Sequence, residues 1–515
     1  MNGAESLVRT LLRSEVDVCF TNPGTSEMHF VAALDAIPGM RCVLALFEGT
    51  ATGAADGYYR IAGKPASTLL HLGPGLANGL ANLHNAKKAG SGIVNIVGEH
   101  ASGHMALEAP LASDIQGIAA PMSHWVHTSD SAATVGGDGA AAVQAARVAP
   151  GQIATLILPG DAAWDEGGVV AAPLDVPARP SVDAAAIAAA ADALGSGAKT
   201  LLLLGGGALQ ADALEAAGRI AAHTGCALLS EWANTKLDRG AGRVTVGRIP
   251  YVVENALEVL KDFERIVLMG AKAPIAFFAY PDKPGILSRP GCEILHTADT
   301  AHDLKGALEA LAEAVGASRT PPAAIAAPDR PQPATGELGP ESIASVLGAT
   351  LPEGVIVVDE SVTTGRSFFP ATAGAPPHAW LNNLGGSIGF GLPAAVGAAI
   401  AAPEAKVLAM IGDGSAMYTV QSLWTMAREK LNVTVLIFAN RSYRILMGEL
   451  TNVGVKNPGP RAMDMLNLTN PELDWVHMAR AMGVEGVKVE DCAALTAALR
   501  QAFRETGPKL IEVVC

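Results

Sequence analysis

The residues with the clearest chemical pattern lie toward the carboxyl end of the chain. Gly412-Asp413-Gly414-Ser415 follows an apolar run, Lys406–Ile411, and precedes a helical stretch. Two glycines around an aspartate at a strand-to-helix junction let the backbone approach an anionic group, and the helix start adds partial positive charge. The next apolar run leads to Asn440-Arg441-Ser442-Tyr443, one helix and one strand after Asp413. That separation brings both side chains to the same sheet edge. Hard oxygen ligands of this kind suit Mg²⁺, which keeps phosphate and water oxygens as its other ligands. Gly-Asp-Gly alone reads as a turn; with Asn440 at the next strand end it reads as a metal and anion site.

The amino-terminal part places polar residues after three consecutive apolar runs. Val16–Phe20 leads to Asn22-Pro23-Gly24-Thr25-Ser26-Glu27, and Cys42–Leu46 leads to Phe47-Glu48-Gly49. Ser67–His71 ends on His71, with Gly73-Pro74-Gly75-Leu76-Ala77-Asn78 following. In isolation Glu48 reads as a helix N-terminal charge and His71 as an ordinary loop or core histidine. Together at successive strand ends they suit general acid–base work. Leu384-Gly385-Gly386-Ser387-Ile388-Gly389-Phe390-Gly391-Leu392-Pro393 adds a glycine-rich turn that opens a helix.

These residues require a scaffold that collects strand ends. Short apolar runs, rich in β-branched residues, alternate with helical patterns along all 515 residues. Runs of this kind fit strands buried on both faces of a parallel sheet. Further examples are Ile93–Val97, Ala154–Leu158, Thr200–Leu204, Arg265–Met269, Glu293–His296, Val355–Val358, Val433–Ala439 and Leu510–Val514. Proline-rich stretches at Ala171–Ser181 and Arg319–Pro340 divide the chain into blocks. The expected fold is α/β, with three doubly wound parallel-sheet domains over residues 1–170, 182–318 and 335–515. Ligands in such sheets sit beyond the carboxyl ends of the strands.

Composition removes several function classes. Half the residues are hydrophobic, and the formal charge is −14, so disorder and nucleic-acid binding are not expected. The six cysteines, Cys19, Cys42, Cys226, Cys292, Cys492 and Cys515, form no CxxC pair, which fits a reducing cytoplasm. Glu5, Arg9, Arg13 and Glu15 interrupt the amino terminus, so no signal peptide is expected, and no apolar run is long enough to span a membrane.

GDGSAMYTVQSLWTMAREKLNVTVLIFANRSYRIL resembles the diphosphate-binding motif of thiamine diphosphate enzymes, in the acetolactate synthase and benzoylformate decarboxylase superfamily. The resemblance extends to NPG at Asn22–Gly24, to Glu48 and to His71, and covers the chain in three-domain order. It implies that Asp413, Asn440 and the Ser442 carbonyl hold Mg²⁺. Gly412, Gly414, Ser415, Tyr443 and Thr363 would lie along the diphosphate. Pro23, Gly24 and Asn78 would lie near the pyrimidine. Glu48 would share a proton with N1′ of the aminopyrimidine, the Gly386 carbonyl would accept from its 4′-amino group, and Ile388 would wedge the two rings into a V. His71 and Thr25 would handle substrate protons. The implied reaction is decarboxylation of a 2-oxo acid, followed by attack of the resulting enamine on a second carbonyl or by its protonation. The site would lie between two subunits, so a homodimer is the minimum and a homotetramer is expected.

Some positions depart from that pattern. Ala279 stands where benzoylformate decarboxylases carry a second histidine, Thr25 where they carry serine, and His100, with His104 nearby, where a glutamine is usual. Gly205-Gly206-Gly207 lacks the full spacing of a dinucleotide loop, and FAD is not expected. Two other readings remain open: a 2-hydroxyacyl-CoA lyase or ligase, and a non-catalytic paralogue that binds cofactor.

Overall fold

Apolar strands that cannot face water on either side require helices above and below, and three such layered units make up the chain. A computed structural model describes residues 1–515. The first sheet contains β1 (Val18–Asn22), β2 (Arg41–Leu44), β3 (Ala66–Leu70), β4 (Ile93–Glu99), β5 (Trp125–Thr128) and β6 (Ile153–Pro159). They run in the order β2-β1-β3-β4-β6-β5, all parallel. The second contains β7 (Thr200–Leu204), β8 (Ala227–Ser230), β10 (Gly247–Arg248), β11 (Arg265–Met269) and β12 (Glu293–Ala298), parallel in the order β10-β8-β7-β11-β12. The third contains β13 (Ile356–Glu360), β14 (His378–Asn382), β15 (Val407–Gly412), β16 (Val433–Ala439), β17 (Glu485–Val489) and β18 (Lys509–Val514). Its order is β17-β18-β16-β15-β13-β14-β9, where β9 is Leu237–Arg239.

The strands expected from apolar runs all form, with ends shifted by a residue or two at most. The strands that carried no such signal are β5, β8, β9, β10, β14 and β17. They are short or carry polar residues, and β5, β9, β10 and β17 lie at sheet edges, where one side needs no apolar cover. β9 corrects the expectation of wholly parallel sheets. It lies between β8 and β10 in sequence yet pairs antiparallel with β14, Leu237 opposite Trp380. The proline-rich stretches contain no helix or strand over residues 165–183 and 319–339. No helix is long and apolar enough to cross a membrane.

Two helices bring the first and third sheets together. Glu48–Ala62 follows β2, and Gly391–Ala401 follows the glycine-rich turn. The first carries Gly49, Gly53 and Gly57, a poor choice for helix propensity at about 1 kcal/mol each. Packing explains two of them. A Cβ on Gly57 would stand 2.1 Å from the Ala394 carbonyl oxygen, and one on Gly53 would meet Pro393 at 2.6 Å. The partner helix answers with Gly397, where a Cβ would stand 1.9 Å from the Ala54 oxygen. The Asp56–Arg60 ion pair, 2.7 Å and fully buried, lies on the same helix. Arg60 also donates to the Asn382 carbonyl of β14 (2.6 Å). Because the obstacles at Gly397 are backbone atoms, Gly397→Val should destabilise the protein by about 3 kcal/mol or more, read as a lowered urea midpoint.

Candidate functional site

The first group of functional side chains stands at the carboxyl ends of β1, β2 and β3. Glu48 begins its helix and is buried, 8% exposed. Its Oε2 accepts from Asn78 Nδ2 at 3.0 Å. Its Oε1 lies 3.2 Å from where a Gly75 Cβ would be, and the His71 Cβ lies 3.3 Å from the same point. Gly75 is therefore the shared floor of Glu48 and His71. Asn78 itself is exposed, as is Thr25, which makes no side-chain hydrogen bond.

His71 has a partner that the sequence did not single out. Its Nδ1 stands 2.8 Å from Glu27 Oε2 and 3.3 Å from Ser26 Oγ. Glu27 is 2% exposed, and the same Oε2 accepts from the Gly24 N–H at 2.7 Å. An Nδ1–H donated to a buried carboxylate leaves Nε2 as the free nitrogen, aimed by a third group in the manner of a base and its orienting acid. The signal in sequence was ambiguous, because a Glu three residues after Gly24 is also a helix-start capping residue. Pro23 and Gly24 form the turn around this pair, and a Cβ on Gly24 would overlap the His71 ring at 2.2 Å. Leu72, next to His71, holds a left-handed φ of +47°. Such strain in a non-glycine residue costs about 1–3 kcal/mol and persists only where packing enforces it. His100 ends the adjacent strand with a buried Nε2 that lacks a partner, and its ring is 5.5 Å from that of His104.

The second group stands at the carboxyl ends of β13, β15 and β16. Asp413 is buried, which raises its carboxyl above the usual range, countered in part by N–H donors. Oδ1 accepts from the Gly414 N–H (2.9 Å) and Oδ2 from the Arg441 N–H (2.6 Å). Asn440 Oδ1 accepts from the Ser442 N–H (3.1 Å), and the two segments meet because β15 and β16 pair in register up to Gly412 and Phe438. Arg441 takes a left-handed φ of +56° to turn the chain here. Tyr443 covers Gly414, whose Cβ would meet the ring at 2.5 Å, whereas one on Gly412 would find nothing nearer than 3.9 Å. Ser415 is buried beside them, and Thr363 follows β13 just after Val362, left-handed at φ +51°.

The glycine-rich turn is clamped from three sides. Asn383 Oδ1 accepts from the Gly385 and Gly386 N–H groups (3.1 and 3.0 Å). Asn85 donates to the Ser387 carbonyl (2.8 Å), and His84 Nε2 meets the Gly385 carbonyl (3.0 Å). Glu360, fully buried at the end of β13, accepts from the N–H groups of Gly389, Phe390 and Gly391 (3.0, 3.2 and 2.8 Å). Gly386 sits at φ +76° with its face against Phe277, whose ring a Cβ would meet at 2.7 Å. No donor in the chain takes its carbonyl. Ile388 is half-buried between these anchors.

The donor set fits the expected cofactor and metal. A carboxylate, an amide oxygen and a backbone carbonyl are hard ligands for Mg²⁺. Gly412 leaves the close approach a diphosphate needs, and the Gly386 carbonyl is free to accept. Within one chain, Asn82 Nδ2 donates to both the Gly49 and the Gly389 carbonyls (2.8 and 3.2 Å), so the glycine-rich turn lies beside the start of the Glu48 helix. Further along the helix Leu72–Ala89, about 20 Å from His71 at 1.5 Å per residue, Asn85 Oδ1 accepts from the Ser387 N–H (3.2 Å).

Comparison with known proteins agrees with this geometry. Residues 1–120 match the thiamine pyrophosphate enzyme N-terminal TPP binding domain, and residues 364–513 match the C-terminal TPP binding domain. A Mycobacterium tuberculosis protein named "Putative acetolactate synthase large subunit IlvX" is 50% identical over 100% of this chain and 99% of its own. The chain belongs to the thiamine pyrophosphate enzymes. Benzoylformate decarboxylase of Pseudomonas aeruginosa is 29% identical over 98% of this chain and 97% of its own. The structure of a thiamine diphosphate-dependent 4-hydroxybenzoylformate decarboxylase from Rhodococcus jostii superposes with a TM-score of 0.83 at 24% identity, over 99% of this chain and 98% of that one. That likeness shows the same three-part fold.

Glu360 gives the site a measurable pH signature. Burial pushes its carboxyl up to about 7, against the three backbone donors and Asn383 that lower it. A carboxyl whose folded pKa exceeds its unfolded value binds more protons when folded. Its contribution to stability therefore rises as pH falls from about 7 toward 4.5 and is least favourable above 7. Between pH 8 and pH 5 the stability difference between the parent and Glu360→Gln should change by up to about 3 kcal/mol, as read from urea denaturation at each pH. A constant difference would show that Glu360 does not titrate in this range.

Proposed function

We propose that this enzyme uses thiamine diphosphate and Mg²⁺ to release CO₂ from a 2-oxo acid, and then joins the remaining fragment to a second carbonyl compound or protonates it. These are the outcomes named for its acetolactate synthase and benzoylformate decarboxylase relatives. The observation that supports this most is Glu48: a buried carboxylate, steered by Asn78, with its other oxygen over Gly75 beside His71. When bound, the cofactor supplies the electron sink for breaking a carbon–carbon bond next to a carbonyl.

The chain's own residues then have distinct tasks. Asp413, Asn440 and the Ser442 carbonyl would hold the metal, whose positive charge would offset the diphosphate, flanked by Gly412, Gly414, Ser415, Thr363 and Tyr443. The Gly386 carbonyl and Glu48 take the two ends of the aminopyrimidine, one as acceptor, one as proton partner, with Pro23, Gly24 and Asn78 around it. Ile388 would pack against the cofactor's rings. His71 holds a proton on Nε2 for the reactant, and Glu27 stabilises the charged imidazole through Nδ1. Thr25, exposed after the end of β1, would share the handling of substrate protons.

The site is shared between two copies, Glu48 and His71 from one and Asp413 and Gly386 from the other. The exposure of Leu46, Met417 and Tyr418 beside the two groups supports this. We therefore propose a homodimer as the minimum unit, a homotetramer in solution, and a cytoplasmic setting compatible with six free cysteines.

A panel of 2-oxo acids assayed for CO₂, with products identified by mass spectrometry, tests the reaction. Release should require both thiamine diphosphate and Mg²⁺. Glu48→Gln should slow hydrogen–deuterium exchange at the cofactor's thiazolium C2 by about 100-fold or more, while cofactor affinity stays within a few-fold. Parent exchange no faster than that of free cofactor would reject catalysis and leave a cofactor-binding role. Glu27→Gln should lower turnover by about 10-fold or more with cofactor affinity preserved; unchanged turnover would remove Glu27 from the proton path.

A further inference from the structure

A cavity of about 640 Å³ opens between the segment after β10 and the segments after β13 and β16. Tyr251, Tyr280 and Lys283 line one side, and Thr363, Arg366, Arg444 and Glu449 the other. Of the cofactor residues named above, Thr363 lines it directly. Arg444 directly follows Tyr443, the ring over Gly414. On the other side Phe277, packed on Gly386, contacts Phe278 (centroids 4.7 Å), which contacts Tyr280 (6.5 Å). The cavity thus lies between the segment that carries Tyr443 and the aromatic residues that cover Gly386.

The charges in the cavity are unevenly satisfied. Lys283 is neutralised by Glu254 at 2.6 Å and donates to Asn452 at 3.0 Å. Glu449 stands near Tyr251 and Tyr280, whose hydroxyls are pushed up by burial and by that carboxylate. Asn452 adds a contact to Glu449 at 3.4 Å. Arg366 and Arg444 have no ion-pair partner, although Arg366 lies close enough to Tyr251 to act on its hydroxyl. Both are exposed, and neither enters an ion pair or donates a side-chain hydrogen bond to the chain. With the acids occupied, the cavity presents two open guanidinium forks, the geometry that recognises a carboxylate in a bidentate manner. A cavity built for a purely apolar side chain would not leave two charges unpaired at its wall.

We propose that Arg366 and Arg444 bind a second carboxylate on the substrate, distal to the 2-oxo acid group, so that the preferred substrate class is 2-oxo dicarboxylic acids. The proposal rests on the 2-oxo acid reaction proposed above and names its specificity determinant. The competing source of negative charge is the cofactor's own diphosphate, beside which Thr363 is proposed above to lie.

The test uses the cofactor-loaded enzyme with 2-oxoglutarate and 2-oxoadipate against 2-oxobutyrate and 2-oxovalerate. The parent should prefer the dicarboxylic members in kcat/KM. Arg366→Met and Arg444→Met should each reduce that preference about 10- to 100-fold, the size of a lost charge-assisted pair, mainly through KM. Lysine at either position should restore part of it. Calorimetry with glutarate and valerate, which do not react, gives a second readout: glutarate should bind the parent more tightly, and the methionine variants should lose the difference. Thiamine diphosphate affinity should change far less than the substrate preference. Equal losses of cofactor affinity and preference would assign the arginines to the diphosphate and overturn the proposal. So would a parent that does not distinguish glutarate from valerate. If no 2-oxo acid is turned over but glutarate binding depends on both arginines, the reaction fails and the carboxylate site stands. If CO₂ is released but the preference ignores both arginines, the site fails and the reaction stands.

Discussion

Two helices touching backbone to backbone set the distance on which the rest of this protein depends. At the crossing of Glu48–Ala62 with Gly391–Ala401, glycines on both sides replace side chains with direct contact between main chains. Each helix begins in a functional segment, the first at Glu48 and the second at the end of the glycine-rich turn. The crossing therefore holds the first and third sheets together and also fixes where two half-sites point. Glycine in a helix interior weakens the helix, so the stripe is understandable only through this contact. The buried Asp56–Arg60 pair strengthens the same crossing. Ser91 donates to Asp56, and Arg60 stacks over Phe390 at 4.6 Å, so the charges are enclosed by hydrogen bonds and an aromatic face. A buried pair so satisfied is costly to break at one end, by about 3–5 kcal/mol, which ties the spacing of the sheets to the integrity of one ion pair.

From that spacing follows the division of the chemistry. The first and third sheets gather their functional residues at their carboxyl edges, and at three of these strand ends the chain leaves through a left-handed non-glycine residue: Leu72, Val362 and Arg441. A β-branched or bulky residue in that conformation is an outlier that surrounding structure must impose. Each turn lies within two residues of a group assigned to the site, namely His71, Thr363 and Asn440. The strain is spent on directing side chains and carbonyls toward a ligand, while the glycines nearby, Gly75, Gly386 and Gly412, leave the room for it.

Much of this was legible before any coordinates. Apolar runs located the central strands because burial on both faces demands consecutive apolar residues, and the strand ends then pointed to Glu48, His71, Asp413 and Asn440. Edge strands such as β17, and β9 with its crossover to the third sheet, carried no such signal, since a half-exposed strand tolerates polar residues. Glu27 was visible only as a capping pattern, and its pairing with His71 depends on β1 and β3 lying side by side. Glu360 could not be found at all, because its partners are backbone N–H groups about thirty residues away, and backbone donors leave no mark on residue type. The unpaired Arg366 and Arg444 are likewise a property of neighbours that only the fold brings together.

The crossover of β9 gives the central block a role beyond filling space. Arg239, on β9, is buried and packs on the Phe369 ring at 3.6 Å, while Arg248 packs on the same ring at 3.8 Å. Burial, together with the neighbouring Arg248, pulls the Arg239 guanidinium down to about 9, yet it still donates to Thr372 (2.7 Å) and to the Phe369 carbonyl. An aromatic ring held between two guanidinium groups is a rigid joint, because cation–π attraction acts on it from both cations and the desolvated arginines cannot easily leave. The joint fixes the central block against the third sheet shortly before the chain reaches Tyr251. The aromatic residues from Tyr251 to Tyr280 can then serve as a wall for the site even though they belong to neither of the domains that hold the cofactor.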